Sequence, residues 1–257
     1  MLTLKEIEKF YSDKEKSFKR NIIREYLQYK ILEIIFSNDI SRKLSFIGGT
    51  SLRIVYGTSR FSEDLDFDNF GLTLSEFNKL SNEVKQGLEL EGYEVEIKIV
   101  SRQAFRCYIR IPKLLYEEGL SNFSNEKITI QIDSESQGYN YKPYRFLLNK
   151  FDVFTHILVT PADILLSQKL WAILNRKVLK GRDIYDVTFL FGITKPDYNY
   201  LKLKSKIDNL ENLKKAISKR LTNENLEKIA SDVQPFLINQ GEVKRILNFS
   251  EFIDSLK

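Results

Sequence analysis

The chain has very few of the residues that most metal centres and nucleophilic enzymes use. Its 257 residues include one cysteine, one histidine and one tryptophan. The single cysteine, Cys107, excludes an internal disulfide, and a Cys/His zinc site is excluded because His156 is the only histidine. A Ser-His-Asp or Cys-His arrangement would have to use His156, which lies in the apolar context Val153–Leu158. That context predicts a core or strand histidine instead.

Long apolar runs are also missing. No run reaches the roughly 18 residues of a membrane-spanning helix. The N-terminus, Met1–Lys9, mixes both charges and lacks the apolar centre of a secretory signal. With the scarcity of cysteine, these features predict a cytoplasmic protein with no membrane partner. The net charge of +5 is mild, so it permits nucleotide or nucleic-acid binding without requiring it.

Helical and strand-like patterns alternate along the first part of the chain. Apolar positions near helical spacing predict helices over residues 15–37, 50–56 and 74–88. Runs of β-type residues predict strands over 44–47, 64–67, 93–100, 105–111 and 127–132, with a hairpin across Ser101–Ala104. This order predicts an α/β (α+β) fold with a mixed sheet and helices packed against it.

The pattern changes after Pro161. From there to Lys257 the apolar positions are helical, with short breaks. The length allows one large domain or two modest ones. We therefore predict two domains, a mixed-sheet domain over residues 1–158 and a helical bundle over 159–257.

Two short motifs carry the chemistry. The turn Gly48-Gly49-Thr50-Ser51 opens a predicted helix, and such a turn can hold a phosphate because backbone N–H groups converge there without a side chain in the way. Asp64 and Asp66 follow, and two carboxylates spaced by one residue on a strand point to one face. Paired carboxylates suit Mg²⁺, which also binds the phosphates of a nucleotide. Together the motifs predict phosphoryl or nucleotidyl transfer.

Both motifs resemble parts of unrelated binding sites. Asp64, Asp66 and Asp68 begin like an EF-hand loop, but Asn69 and Ser75 stand where that loop has Gly and Glu. The glycine turn lacks the spacing of a P-loop and that of a dinucleotide-binding turn. A helix N-cap by Thr50 or Ser51 is compatible with phosphate binding. A solvated strand edge stays an alternative for the aspartates.

The string Gly48–Arg53 followed by Arg60–Phe67 resembles the nucleotidyltransferase AbiEii/AbiGii toxin family, which belongs to the polymerase-beta-like nucleotidyltransferase superfamily. Asp163–Ala172 and Gly181–Val187 resemble that family's downstream Lys and Arg-Asp-x-x-Asp motifs. The resemblance covers about residues 44–190. It implies a Mg²⁺-dependent, two-metal nucleotidyltransferase that uses an NTP, with GTP as the nucleotide it suggests.

The resemblance further implies a toxin of a toxin–antitoxin or abortive-infection system, with tRNA 3′ ends as the acceptor and a cognate antitoxin protein as a partner. A small molecule or a protein hydroxyl stays open as the acceptor. A degenerate nucleotidyltransferase that binds a nucleotide without turnover is the alternative of a different class. Residues 192–257 carry no motif that indicates a role.

The resemblance also assigns roles to individual residues. The metal ligands it implies are Asp64, Asp66 and Asp133, with Glu135 as the reserve for the third carboxylate, and these three aspartates together with Lys169 form the catalytic set. The nucleotide contacts it implies are Gly48, Gly49, Thr50, Ser51, Arg60, Lys169, Arg182, Asp183 and Asp186, with Arg53 as a weaker phosphate candidate.

Alternatives remain for several of these residues. Asp183 and Asp186 share a helix face, so they either anchor Lys169 or Arg182 or contact the base and ribose. Asp133 is alternatively a turn residue at a strand end, and Lys169 an exposed lysine.

Overall fold

A computed structural model describes residues 1–102 and 104–257. The chain divides into two compact units. The first unit comprises Met1–Val55 and Phe61–Val159, and the second comprises Tyr56–Arg60 and Thr160–Lys257. The first unit holds the strands and the second is helical, so the predicted α/β class is confirmed.

The strands of the described residues form one mixed sheet. Their bounds are β1 Leu44–Ile47, β2 Leu65–Asn69, β3 Glu96–Ser101, β4 Phe105–Pro112, β5 Lys127–Glu135, β6 Tyr144–Lys150 and β7 Val153–Val159. Their order in the sheet is β3-β4-β5-β2-β1-β7-β6. β2 lies between β5, to which it is parallel, and β1, to which it is antiparallel. The strand that precedes the glycine turn, β1, and the strand that carries Asp66, β2, therefore lie in the middle of the sheet.

Most of the predicted strands match these bounds within a few residues. β3 and β4 pair antiparallel, as the predicted hairpin requires. Gln103, in the predicted connection, lies outside the described residues. The strand predicted from Tyr93 begins only at Glu96.

The hairpin of β6 and β7 is absent from the prediction. Its two strands pair from Lys150 and Val153 outwards, so the turn is Phe151-Asp152. Phe151 has φ +61°, a conformation that side chains other than glycine, asparagine and aspartate rarely adopt. Its ring packs edge-on against Tyr26 and Tyr29, with centroids 5.3 and 5.1 Å away. Tertiary packing of the ring therefore supports a turn that carries no glycine signal.

Helices cover the sheet in the first unit. Their bounds are α1 Leu4–Glu8, α2 Asp13–Lys16, α3 Lys19–Phe36, α4 Gly48–Tyr56, α5 Leu74–Leu90 and α6 Leu114–Glu117, with a 3₁₀ helix over Asp39–Lys43. The helix predicted over 15–37 is thus α3, preceded by the separate short helix α2. α3 packs against α5 and β7 and buries apolar residues such as Ile22, Leu27 and Ile31 completely.

The second unit is built from helices around its own apolar core. Their bounds are α7 Ala162–Asn175, α8 Gly181–Leu190, α9 Tyr198–Ser205, α10 Leu210–Leu221, α11 Leu226–Ser231, α12 Lys244–Leu247 and α13 Phe249–Ser255. α7 packs against α8, α9 and α10, and Leu170, Ile173 and Ile184 are fully buried. Within the described ranges, no helix is both long and apolar enough to cross a membrane.

Candidate active site

The glycine turn and the aspartate strand are in direct contact. β1 ends at Ile47, which lies opposite Asp66 in the antiparallel register. Gly48 follows with φ +79°, and a Cβ at this position would lie 2.2 Å from Oδ2 of Asp66. A side chain at residue 48 would therefore be strained and would also collide with the carboxylate. Glycine is the residue that lets the Asp66 carboxylate lie against the start of α4.

The two hydroxyl residues of the turn are buried. The Thr50 hydroxyl donates a hydrogen bond to the backbone carbonyl of Asp64, which ties the first turn of α4 to the residue before β2. Ser51 is completely buried, and its hydroxyl has no hydrogen-bond partner among the residues that the structure describes. Ser51 therefore does not cap α4.

Asp66 and Asp133 lie side by side on neighbouring parallel strands. They are directly paired in the register of β2 and β5, so their side chains share one face of the sheet. Asp64 lies one residue before β2. Asp133 lies inside β5, which continues to Glu135, and this excludes the alternative of a turn residue at the strand end.

The carboxylate of Asp133 is held by Arg106 of β4. Nε and Nη2 of Arg106 donate to the two carboxylate oxygens at 2.7 Å each. The side-chain amide of Gln131 adds a third hydrogen bond at 2.9 Å. The hydrogen bond to Asp133 raises the pKa of the Arg106 guanidinium above its usual range. Both oxygens of the predicted third metal ligand are thus engaged by a neighbouring cation.

The predicted metal ligands can be tested for fit. Asp64 and Asp66 provide the carboxylate oxygens that a hard divalent cation prefers, and Mg²⁺ needs only one or two such ligands beside a nucleotide's phosphates. Over residues 1–102 and 104–257, no group of three acidic, histidine or cysteine side chains is arranged to hold a metal ion. Asp64 and Asp66 are of the ligand type that suits a nucleotide-bound Mg²⁺, while the oxygens of Asp133 already accept hydrogen bonds from Arg106 and Gln131.

Asp68 and Glu135 continue the two central strands and lie opposite each other. Asp68 is buried and accepts hydrogen bonds from the backbone N–H of Gln137 at 2.8 Å and the hydroxyl of Tyr141 at 2.9 Å. These bonds fix the segment that follows β5. Glu135 is exposed at the end of its strand.

Arg53, the weaker phosphate candidate, belongs to a buried ionic cluster. Its Nε donates to Glu25 and its Nη2 to Glu15, each at 2.8 Å. Lys150 donates to the other oxygen of Glu25, also at 2.8 Å. Burial acts to raise the pKa of Glu25, but the charges of Arg53 and Lys150 outweigh it and lower the pKa. Arg53 thus contributes its positive charge to this cluster.

The downstream motifs form a second ionic cluster, within the helical unit. Arg60 is buried and donates from Nε and Nη2 to the two oxygens of Asp186, at 2.8 and 2.7 Å. Lys169 lies 2.9 Å from Asp186 and 3.2 Å from Asp183. Arg176 lies 2.7 Å from the other oxygen of Asp183. Asp183 and Asp186 therefore anchor Lys169, and a nucleotide contact by these residues stays a prediction.

Burial and charge act in opposite directions on the pKa values of this cluster. Burial acts to raise the pKa of Asp186, but Arg60 and Lys169 outweigh it and lower the pKa. Burial likewise acts to lower the pKa of Lys169, and the two aspartates outweigh it and raise the pKa. The guanidinium carbon of Arg182 lies 5.1 Å from the ring centre of Phe236.

Comparison with known proteins assigns the chain to a family. The family model for the nucleotidyl transferase AbiEii toxin of type IV toxin–antitoxin systems matches residues 30–249. The chain belongs to the AbiEii family. This membership confirms the resemblance carried by the sequence motifs and extends it beyond residue 190.

Two crystal structures share the fold of this AbiEii protein. JHP933 from Helicobacter pylori is 18% identical, with a TM-score of 0.56, and the match covers 91% of this chain and 90% of that one. A candidate nucleotidyltransferase from H. pylori is 19% identical, with a TM-score of 0.57 and coverage of 91% and 92%. At these identities the likeness concerns the fold alone. No curated protein matches the chain.

Arg106 is a site residue that the motifs do not indicate. Its pairing with Asp133 depends on the register of β4 and β5, across 27 residues of sequence. The sequence does show that polar and apolar residues alternate along β4. Arg106, Tyr108 and Arg110 lie on one face of the strand, and the residues between them, such as Cys107, are buried.

Proposed function

We propose that this AbiEii-family protein is a Mg²⁺-dependent nucleotidyltransferase and acts as a toxin on the 3′ ends of tRNA. It transfers NMP from an NTP to an acceptor hydroxyl, with release of pyrophosphate. The contact of Gly48 with Asp66 carries the proposal. A phosphate-binding turn and a metal-binding carboxylate must adjoin if one nucleotide is to use both, and these two do.

The residues of the first unit have separate roles in this reaction. Backbone N–H groups at Gly48 and Gly49 bind the phosphates at the start of α4, where the helix dipole favours negative charge. Thr50 and Ser51 complete this turn. Asp64, Asp66 and Asp133 would hold two divalent ions, which would stabilise the attacking and leaving oxygens of the displacement. The acceptor hydroxyl forms a bond to the α-phosphorus, its proton passes to a carboxylate of the set Asp64, Asp66 and Asp133, and the bond to pyrophosphate breaks.

The helical unit supplies the other nucleotide candidates. Lys169 keeps its positive charge because Asp183 and Asp186 hold it as an ammonium. We propose Lys169 and Arg182 as nucleotide contacts, with the two aspartates as the anchors of Lys169. Arg60 takes part through Asp186. GTP is the first nucleotide to test, and a cognate antitoxin is the expected partner protein.

Transfer of labelled nucleotide to RNA tests the proposal. Each α-labelled NTP is incubated with Mg²⁺, total cellular RNA and either the wild type, Asp64→Asn or Asp66→Asn. We expect label in tRNA with the wild type and a loss of at least about 10²-fold in both variants, as for removal of a strong electrostatic group. Asp39→Asn is the matched control, since this carboxylate is on the surface. Label in small molecules or protein would reject the tRNA acceptor, and transfer that survives both variants would reject the site.

The hydrogen-bonded Arg106 and Asp133 favour one other candidate function, a nucleotide-binding module without turnover. A carboxylate that stays paired with a guanidinium binds a metal ion less strongly, because the two positive charges oppose each other. Equilibrium NTP binding that depends on Gly48 and Asp66, with no label in any RNA, small-molecule or protein fraction, would support this function over the enzyme.

A further inference from the structure

One row of paired residues crosses the centre of the sheet on a single face. Ile47, Asp66, Asp133, Arg106 and Val100 are successive partners from β1 to β3. Asp133 therefore stands between a carboxylate proposed to bind a metal and a guanidinium that holds it now. Arg106 and Gln131 use three of the roughly four lone-pair sites of the Asp133 carboxylate. The guanidinium charge also opposes a second cation at the same carboxylate, so Arg106 and a metal ion compete for Asp133.

An open cavity adjoins the arginine end of this row. Its volume is about 570 Å³, and its lining residues are Val100, Arg102, Ala104, Arg106 and Glu135. Arg102 is exposed, and no ion pair to its guanidinium occurs in the described part of the chain. While Arg106 is paired with Asp133, the charges of Arg102 and Glu135 balance each other. Once Arg106 turns away from Asp133, the cavity gains a positive charge.

We propose that this cavity binds a phosphate group of the acceptor nucleic acid and that Arg106 exchanges Asp133 for that phosphate, with Arg102 as a second contact. Acceptor binding thereby releases Asp133 to join Asp66. The inference deepens the proposed function and rests on its metal ion at Asp64 and Asp66. It makes Arg106 a positioning residue that acts through Asp133.

Three properties of Arg106 favour such an exchange. The guanidinium fork matches phosphate as well as carboxylate in a bidentate geometry, so both of its hydrogen bonds can be remade. Its side chain is 39% exposed, so solvent and ligand reach it and the ion pair is only weakly stabilising. Arg106 lines the cavity, so its side chain can reach a phosphate that is bound there.

Binding of Mn²⁺ in the absence of acceptor tests whether Arg106 keeps a metal ion from Asp133. Electron paramagnetic resonance measures free Mn²⁺ over the wild type, Arg106→Gln, Asp133→Asn and the double variant. We expect Arg106→Gln to bind Mn²⁺ about fivefold more tightly, because the exposed ion pair between Arg106 and Asp133 no longer opposes metal binding. Asp133→Asn should match the wild type, and the double variant should lose the gain. Unchanged or weaker binding in Arg106→Gln would overturn the inference.

Binding of an unreactive acceptor tests the cavity. An RNA oligonucleotide with a 3′-deoxy end is titrated by fluorescence anisotropy without NTP. Arg102→Gln and Arg106→Gln should each weaken binding and lower the salt slope by about one. Arg110→Gln is the matched control, because Arg110 lies on the same strand and face but outside the lining residues. Weakened binding of a non-hydrolysable NTP with unchanged RNA binding would overturn the inference in favour of nucleotide phosphates.

Asp66→Asn separates the two possible failures. If wild-type Mn²⁺ binding does not depend on Asp66, the proposed function fails. If it does depend on Asp66 and Arg106→Gln leaves it unchanged, only the exchange fails. Thermal melts of all variants exclude misfolding as the cause of either result.

Discussion

Gly48 lies so close to Asp66 at the end of β1 that a methyl group added at residue 48 would be 2.2 Å from the carboxylate oxygen. Gly57, Gly71, Gly92 and Gly119 also have positive φ, but nothing lies within 4 Å of their missing Cβ atoms. Glycine is needed at position 48 for its backbone conformation and for its lack of volume. The second reason connects the residue to the proposed chemistry.

Gly48→Ala is predicted to displace Asp66. A side chain in the left-handed region costs about 1–2 kcal/mol, and the collision adds a shift of the carboxylate. We expect nucleotidyl transfer to fall by about 10²-fold, as for a catalytic group misplaced by about 1 Å. Transfer rates and Mn²⁺ affinity measure the effect.

Gly71→Ala is the control for this change. Its φ is +94° and its surroundings are open, so it carries the backbone strain without the collision. It should lower the free energy of unfolding by a similar amount and leave activity and Mn²⁺ affinity intact. Equal loss of activity in both variants would show that strain alone, and not the contact with Asp66, determines the effect.

Asp186→Asn is predicted to destabilise the helical unit more than Asp183→Asn. Asp186 is shared by Arg60 and Lys169, so its neutralisation leaves two buried cations without their common carboxylate. Breaking a buried ion pair in this way costs about 3–5 kcal/mol. Asp183 instead pairs with Lys169 and with Arg176, whose side chain is 51% exposed, and water can replace that contact. Urea unfolding gives both free energies.

Removal of the partner charge provides the control for this pair. Arg60→Met in the Asp186→Asn background should lose less stability than the sum of the two single variants, because the unpaired charge is gone as well. Strict additivity would contradict the interpretation of the cluster as a coupled network.

Local pattern predicted the elements that carry the motifs. Leu44–Ile47 and the helix that begins at Gly48 follow from an apolar run and a glycine turn. β2 starts one residue later and ends two residues later than its prediction. The β6 and β7 hairpin was missed because its turn, Phe151-Asp152, has neither glycine nor asparagine. What stabilises that turn is aromatic packing with α3 residues such as Tyr26 and Tyr29, which no local window contains.

The candidate site likewise has residues that the sequence predicts and contacts that it does not. The resemblance grouped Asp66 and Asp133 as metal ligands, and the two residues are directly paired on neighbouring strands. It gave no sign that Arg106 holds Asp133, because that contact depends on a second strand pairing. Arg60 and Asp186 are 126 residues apart, and a single sequence does not show which charges meet over such a distance. Motifs thus predict residue types at a site, and tertiary pairing decides which charges are already compensated.

Glu25→Gln is predicted to change the acid sensitivity of the first unit. The pKa of Glu25 is lowered from 4.5, since Arg53 and Lys150 outweigh its burial. A lowered pKa means that the folded state binds the proton less well than the unfolded state. The carboxylate therefore contributes its full stability above about pH 4.5 and loses it as the pH falls through the folded-state pKa. Replacing it should cost about 3–5 kcal/mol at pH 7.

The difference between wild type and Glu25→Gln should then shrink as the pH falls below 4.5. Urea unfolding from pH 7 down to about pH 3 measures it. Glu117→Gln, at an exposed position of α6, is the control and should follow the wild type at every pH. A difference that stays constant over the whole range would mean that the Glu25 side chain stabilises the unit by packing and hydrogen bonding alone. A decreasing difference instead assigns the stability to the charge that Glu25 shares with Arg53 and Lys150.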